Sequence, residues 1–234
     1  MAVHNTYNDT INRELTRSLQ SAIPNARAEA CRLPDVPEIA LYLLNCDYSS
    51  AELTPEQTRR IMDYPAYWSF CWASGQVLAR YLLDHPGWVN GRHVLDFGCG
   101  SGVVAIAAAL AGAAQVTACD LDPDALNATA HNAALNKVQL TLCSDFAHVT
   151  APIDLIVVAD VLYDAANLGW LSRFLQKAPE VLIADSRVKD FSAPNYAWID
   201  RRRSRTWPDL DEFDEFREVN LYRGRATSVP ATAT

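Results

Sequence analysis

"VLDFGCGSG", Val94 to Gly102, packs three glycines into five residues directly behind a short apolar run. Glycines let a backbone approach a ligand closely and take positive φ where a turn needs it. In an open α/β sheet, ligands bind beyond the carboxyl ends of the strands, near the first strand–helix turn. Gly98, Gly100 and Gly102 fall at that point if "HVLDF" is a strand and "GVVAIAAALAG" a helix closed by Gly112. The residue that resists an ordinary nucleotide reading is Asp96, because a carboxylate at the mouth of the loop repels phosphate.

Outward from the loop the text alternates. "AQVTACD" reads as a strand and "PDALNATAHNAALN" as a helix with Pro123 in its first turn. "VQLTLC" and "IDLIVVAD" read as strands, "AANLGWLSRFL" as a helix and "EVLIAD" as a strand. Strands apolar on both faces that alternate with helices specify a parallel sheet covered on both sides. After Asp185 the alternation stops. "SRTWP" and "REVNLYRG" read as two closing strands, antiparallel, joined through the acidic "DLDEFDEF".

Before Asn90 the text is less regular. Ile11, Leu15 and Leu19 recur four apart, as on a narrow amphipathic helix. "VPEIALYLL" suits a strand or a buried turn equally. "TPEQTRRI" carries a capping threonine, Thr54, with Pro55 at the first helical position and Gln57 completing a capping box. "SGQVLARYLLDHP" reads as a helix with Val77, Leu78, Tyr81 and Leu82 on one face, ended by Pro86. The expected division is an extension with lead-in helices over 1–90, belonging to the same domain as a core over 91–225, and a flexible tail over 226–234.

Bulk properties narrow the function. The net charge of -8 argues against a nucleic-acid binder, which needs a basic face for phosphate. The one basic run, "RRRSR" (Arg201 to Arg205), reads as a solvated strand edge. No stretch is long and apolar enough to span a bilayer. The opening "MAVHNTYNDT" lacks an apolar run behind a basic start, so no signal peptide is expected. The six cysteines and five histidines show no metal-ligand spacing, so no metal is expected. Free thiols fit a cytoplasmic protein. Cys99, inside the loop, reads as small filler because no histidine is placed to activate it.

Asp120 follows Gly98 by 22 residues, at the end of the next strand, where a carboxylate can grip both hydroxyls of a ribose. A dinucleotide fits poorly, because its fingerprint wants a third glycine at position 103, where Val103 stands. S-adenosylmethionine carries a sulfonium and an ammonium and no phosphate, so an acidic mouth suits it.

Here the chain resembles the class I S-adenosylmethionine-dependent methyltransferases. Their acidic-x-Gly-x-Gly-x-Gly motif is matched by Asp96 to Gly102, their second acidic position by Asp120, and the acidic residue after the third strand by "SDF", Ser144 to Phe146. The resemblance implies an α/β, Rossmann-like seven-stranded sheet, mostly parallel with an antiparallel closing strand, and a helical N-terminal extension. It also implies S-adenosyl-L-methionine as cofactor, held by Asp96, Gly98, Gly100, Gly102, Asp120, Leu121, Asp145, Phe146 and Ala159. Taken singly, Asp145 reads equally well as a helix cap.

"ADVLYD", Ala159 to Asp164, lacks the prolines of an Asn/Asp-Pro-Pro-Tyr element. Its Asp-x-x-Tyr, Asp160 to Tyr163, is similar to the signature of seven-strand enzymes that act mainly on protein lysines. By that likeness Asp160 orients the acceptor nitrogen and Tyr163 shapes its channel, whereas the bare residues equally allow Asp160 to cap the next helix. "YPAYWSFCWASGQVLARYLLDHP" resembles the segment before the glycine loop in electron transfer flavoprotein β-subunit lysine methyltransferases, which implies Trp72 at the cofactor. Trp68 reads as core. Two stretches depart from that pattern: Ala73-Ser74 replaces Pro-Gly, and "ADSRVKD" replaces an Asp-Pro-Gly turn. The implied partner is a protein bearing a target lysine, such as an electron transfer flavoprotein β subunit. A small amine substrate, or a cofactor-binding protein without turnover, remain as alternatives; nucleic acid and membrane are not expected.

Overall fold

The computed structural model describes residues 11–48, 54, 56, 65–161, 168–188, 191–210 and 213–227. The strand–helix alternation forms as the hydrophobic pattern predicts. Helix α1 spans Arg13–Ala22, β1 Ala28–Arg32, β2 Ala40–Leu44 and α2 Ala73–Asp84. Then come β3 (His93–Phe97), α3 (Val103–Leu110), β4 (Gln115–Cys119), α4 (Pro123–Leu135), β5 (Thr141–Cys143) and β6 (Leu155–Ala159). Helix α5 is Trp170–Lys177, and β7 (Glu180–Asp185), β8 (Tyr196–Arg203) and β9 (Glu218–Arg225) complete the chain.

Seven strands make one sheet in the order β5-β4-β3-β6-β7-β9-β8. The five from β5 to β7 are parallel, and β9 runs antiparallel to both β7 and β8. From β3 the chain builds outward to β5, then returns to β6 and builds the other way. That reversal opens a crevice beyond the carboxyl ends of β3, β4 and β6, where this architecture binds ligands.

The period of two along each strand divides the core. Val94, Val116, Val157, Leu182 and Leu221 face α2 and α3, which bury Val77, Leu78, Leu82, Val104 and Ala108 on them. Their neighbours Leu95, Val158, Val181 and Ile183 face the other way, onto Leu171 and Phe174 of α5. Each fully buried side chain of this size contributes roughly 1.5–3 kcal/mol.

Three sequence expectations shift. "SRTWP" is not the penultimate strand: β8 ends at Arg203, just before it. As the edge of the sheet, β8 needs charge rather than apolar alternation to discourage further pairing. Its arginines are spent on carboxylates: Arg201 on Glu218, Arg202 on Asp84 and Asp200, Arg203 on Asp214. The region before Asn90 is not wholly helical, since β1 and β2 pair as an antiparallel hairpin. Beneath them, Leu15 and Leu19 of α1 pack with Trp68 against Ala125 and Ala128 of α4. Finally, α5 starts at Trp170, and most of the "TPEQTRRI" helix, including Pro55 and Gln57, lies outside the described residues. The 226–234 tail is described only to residue 227.

Candidate active site

The loop after β3 is made by hydrogen bonds and by glycine. Gly98 and Cys99 both donate to the Cys119 carbonyl, at 2.8 and 3.1 Å. Helix α4 holds the far side, with Thr129 Oγ1 donating to Gly100 O at 3.1 Å and Asn132 Nδ2 to Ser101 O at 2.8 Å. Gly102 has φ +81, and a Cβ there would lie 2.9 Å from the Thr129 side chain. Only glycine meets both demands. A Cβ at Gly100 would meet no atom within 4 Å; the missing side chain is what opens the backbone to the space in front of it.

That space is a cavity of about 440 Å³, within the range of small-molecule sites. Gly98, Gly100, Asp120 and Asp122 line one part of it, and Ala159, Asp160 and Val161, following from β6, line another. Tyr67, Trp68 and Trp72 add aromatic surface, and Arg187 adds a guanidinium. Trp72 is held by its Nε1 donating to Tyr67 O at 3.1 Å and by ring contacts to Tyr67 and Phe70, each with centroids 5.8 Å apart. The Arg187 guanidinium carbon lies 6.0 Å from the Trp72 ring centroid and 4.1 Å from that of Phe216.

Asp120 Oδ2 accepts from the Gly100 amide at 2.9 Å and Oδ1 from the Asp122 amide at 3.0 Å. Both oxygens are therefore held in place, and the carboxylate keeps lone-pair capacity for a diol. Burial raises the Asp120 pKa, while the Gly100 and Asp122 amides oppose it. Asp122 itself caps α4, accepting from the Asp124 amide at 2.9 Å.

Asp96 is not at the mouth. It is 2% exposed, beneath the loop, and its Oδ2 accepts from the Ala105 amide at 2.9 Å. Ala105 is the third residue of α3, one of the amides left without a partner inside the helix. Asp96 thus caps α3 from the neighbouring strand. Burial pushes its pKa up to about 7, with Asp120 adding in the same direction and the Ala105 amide opposing.

Of the other residues expected at the cofactor, Trp72, Gly98, Gly100, Asp120 and Ala159 converge on the cavity, and Asp160 joins them. Gly102 lies behind the loop, against Thr129. Leu121 is 81% exposed and outside the lining. Asp145 Oδ1 accepts from the Ala147 amide at 2.8 Å, so its capping reading describes the contact it makes. Phe146 packs edge-on against Phe97 and Trp170, each at 5.5 Å, away from the cavity lining. Tyr163 lies outside the described residues. Cys99 is buried, and burial holds its thiol well above the ordinary range, in keeping with filler. Sequence reasoning missed Arg187 and Tyr67; their only signal there is position, Arg187 within the "ADSRVKD" departure and Tyr67 within the aromatic lead-in. No group of His, Cys, Asp or Glu among the described residues is arranged to hold a metal. No helix among them is long and apolar enough to cross a membrane.

The family model for ribosomal protein L11 methyltransferase (PrmA) matches residues 81–185. The electron transfer flavoprotein beta subunit lysine methyltransferase of Xenopus laevis is 40% identical over 177 residues, 70% of this chain and 69% of that protein. The chain belongs to this family. It is an S-adenosylmethionine-dependent methyltransferase. The Homo sapiens member is 36% identical over 168 residues, 67% of this chain and 62% of its own length. In fold, the methyltransferase superposes on magnesium protoporphyrin IX methyltransferase from Synechocystis, solved with bound S-adenosylmethionine, with a TM-score of 0.50 at 17% identity over 77% of this chain and 88% of that one. The cavity fits the cofactor on its own chemistry: an anchored carboxylate for a ribose, an open glycine backbone and carboxylates for cationic groups.

Proposed function

We propose that this methyltransferase modifies a lysine ε-amine on a protein, and that the protein is an electron transfer flavoprotein β subunit. The observation that carries this is the 40% identity to a relative named for that substrate, over 177 residues. When bound, S-adenosylmethionine supplies an electrophilic methyl group. Gly98, Gly100 and Asp120 hold it, with Trp72 and Ala159 along the same wall. In this reading Asp160 faces the acceptor and Tyr163, the last residue of the Asp-x-x-Tyr pattern, shapes its channel.

Magnitudes decide what Asp160 does. Burial pushes its pKa up to about 6. A free lysine ammonium has a pKa of about 10.4, so full proton transfer to this carboxylate runs uphill by roughly four units. Asp160 therefore orients the nitrogen by accepting its hydrogen bonds, and the proton leaves to solvent. All six cysteines are free thiols, which supports a reducing, cytoplasmic setting.

The family-model match to ribosomal protein L11 methyltransferases favours L11 as a second acceptor to try. The test is labelled cofactor with the purified chain and each purified acceptor, followed by peptide mass spectrometry. Methyl-lysine on the flavoprotein subunit is expected. Label on L11 alone replaces the acceptor, and label confined to low-mass amines from lysate overturns the protein-lysine reading.

A further inference from the structure

Asp160 takes an uncommon backbone conformation for a residue with a side chain, φ 50, immediately after β6. Its amide donates to the Ala184 carbonyl of β7 at 3.1 Å, so two adjacent strands fix where the carboxylate begins. Two hydroxyls then fix it further out. Ser74 Oγ, in the first turn of α2, donates to Asp160 Oδ1 at 2.6 Å. Ser186 Oγ, one residue beyond β7, donates to the same oxygen at 3.1 Å. Both serines are buried. Ser74 stands before the glycine loop and Ser186 follows β7, 112 residues later, and the fold brings both to a single oxygen atom.

We propose that Ser74 and Ser186 form a hydroxyl clamp that keeps Asp160 ionised and turned toward the acceptor amine, as positioning residues for methyl transfer. The proposal rests on the acceptor-side role given to Asp160 above. An ionised carboxylate can only accept hydrogen bonds, so two donors on one oxygen favour that form. Both hydroxyl bonds fall on Oδ1, so neither hydroxyl takes up Oδ2, and the Ser186 backbone amide is a further donor to the carboxylate.

The need for a clamp is electrostatic. Burial drives Asp160 toward its neutral form and Asp185 pushes the same way, while the two serine hydroxyls, and after them the Ser186 backbone amide, oppose them. Among the described residues, the other charged or titratable groups around it are Arg187, Asp120, Asp122 and Tyr67, which line the same cavity, and the buried Cys71 thiol. The serine hydroxyls do not titrate in the working range. Removing them changes Asp160 and leaves the pH dependence of those neighbours in place.

The test compares Ser74→Ala, Ser186→Ala and the double variant with the parent, measuring kcat/KM from pH 6 to 9.5 with the flavoprotein β subunit as acceptor. Calorimetric binding of S-adenosylhomocysteine reports an intact cofactor site, and Ser186→Ala, at a position in no helix, keeps the clamp testable should Ser74→Ala disturb α2. Each hydroxyl lost raises the Asp160 pKa by about one unit. The double variant then falls about tenfold below the parent at pH 7, and the gap closes toward pH 9.5. A loss that is the same at every pH, or no loss, overturns the clamp. Asp160→Asn separates the two ideas. If it methylates at the parent rate, the acceptor role itself is wrong. If it is inactive while the serine variants match the parent throughout, only the clamp is.

Discussion

Replacing Asp96 by asparagine separates a carboxylate that attracts the cofactor from one that caps a helix. Asp96 is buried, and its pKa is pushed up to about 7 from the ordinary carboxylate value of 3.8. A folded-state pKa above the unfolded value means that the protonated form favours folding. The associated stability is fully present below about pH 4 and is lost as pH rises through about 7. The whole span amounts to about 4 kcal/mol at most, of which roughly 2.5 kcal/mol falls between pH 5 and pH 8. In Asp96→Asn the new amide keeps an oxygen for the Ala105 N–H and cannot ionise. Urea unfolding of the ligand-free chain at pH 5, 6.5 and 8 should therefore show the variant gaining on the parent by about 2 kcal/mol across that range. S-adenosylhomocysteine affinity should stay within a few fold, because Asp96 does not line the cavity. A stability difference that does not change with pH would refute the reasoning. A large loss of affinity at constant stability would restore Asp96 to the cofactor.

Gly102→Ala forces a side chain onto φ +81 and against Thr129 at 2.9 Å; a loss of about 2–3 kcal/mol is expected in the same urea measurement, and a loss below about 0.5 kcal/mol would mean that the loop relaxes freely. Asp120→Ala removes the group proposed to hold both ribose hydroxyls and also frees the Gly100 and Asp122 amides. Cofactor affinity by calorimetry should drop about 100-fold or more, and a drop under about fivefold would remove Asp120 from the ribose.

Much of this was legible because it is local. The glycine loop, the strand–helix periodicity and Asp120 at a strand end each depend on a few neighbouring residues. The site residues that escaped reading depend on packing across the sheet. Asp96 lies two residues before the loop glycines, yet the alternation of β3 turns it inward to the Ala105 amide. Ser74 and Ser186 look like departures from a pattern until the fold brings both to Asp160. The edge strand β8 escaped because "YAWIDRRR" has no apolar alternation, and an edge strand has little use for one.

Charge explains why Asp160 needs help. Among the described residues, the cavity presents three carboxylates, Asp120, Asp122 and Asp160, against one guanidinium, Arg187. The cofactor brings a sulfonium and an ammonium against one carboxylate, and a lysine arrives as a second net cation. Those two positive partners balance the wall only while all three carboxylates are ionised. At an effective dielectric of about 20, one missing charge some 5 Å away costs about 3 kcal/mol, roughly a hundredfold in binding. Asp120 accepts backbone amides that oppose its neutralisation by burial, and Asp122 caps α4. For Asp160 the side-chain bonds that oppose neutralisation by burial come from the two serines. Pairing a cationic cofactor with a cationic acceptor in one pocket therefore sets its tightest requirement at this residue, on the acid side of neutrality.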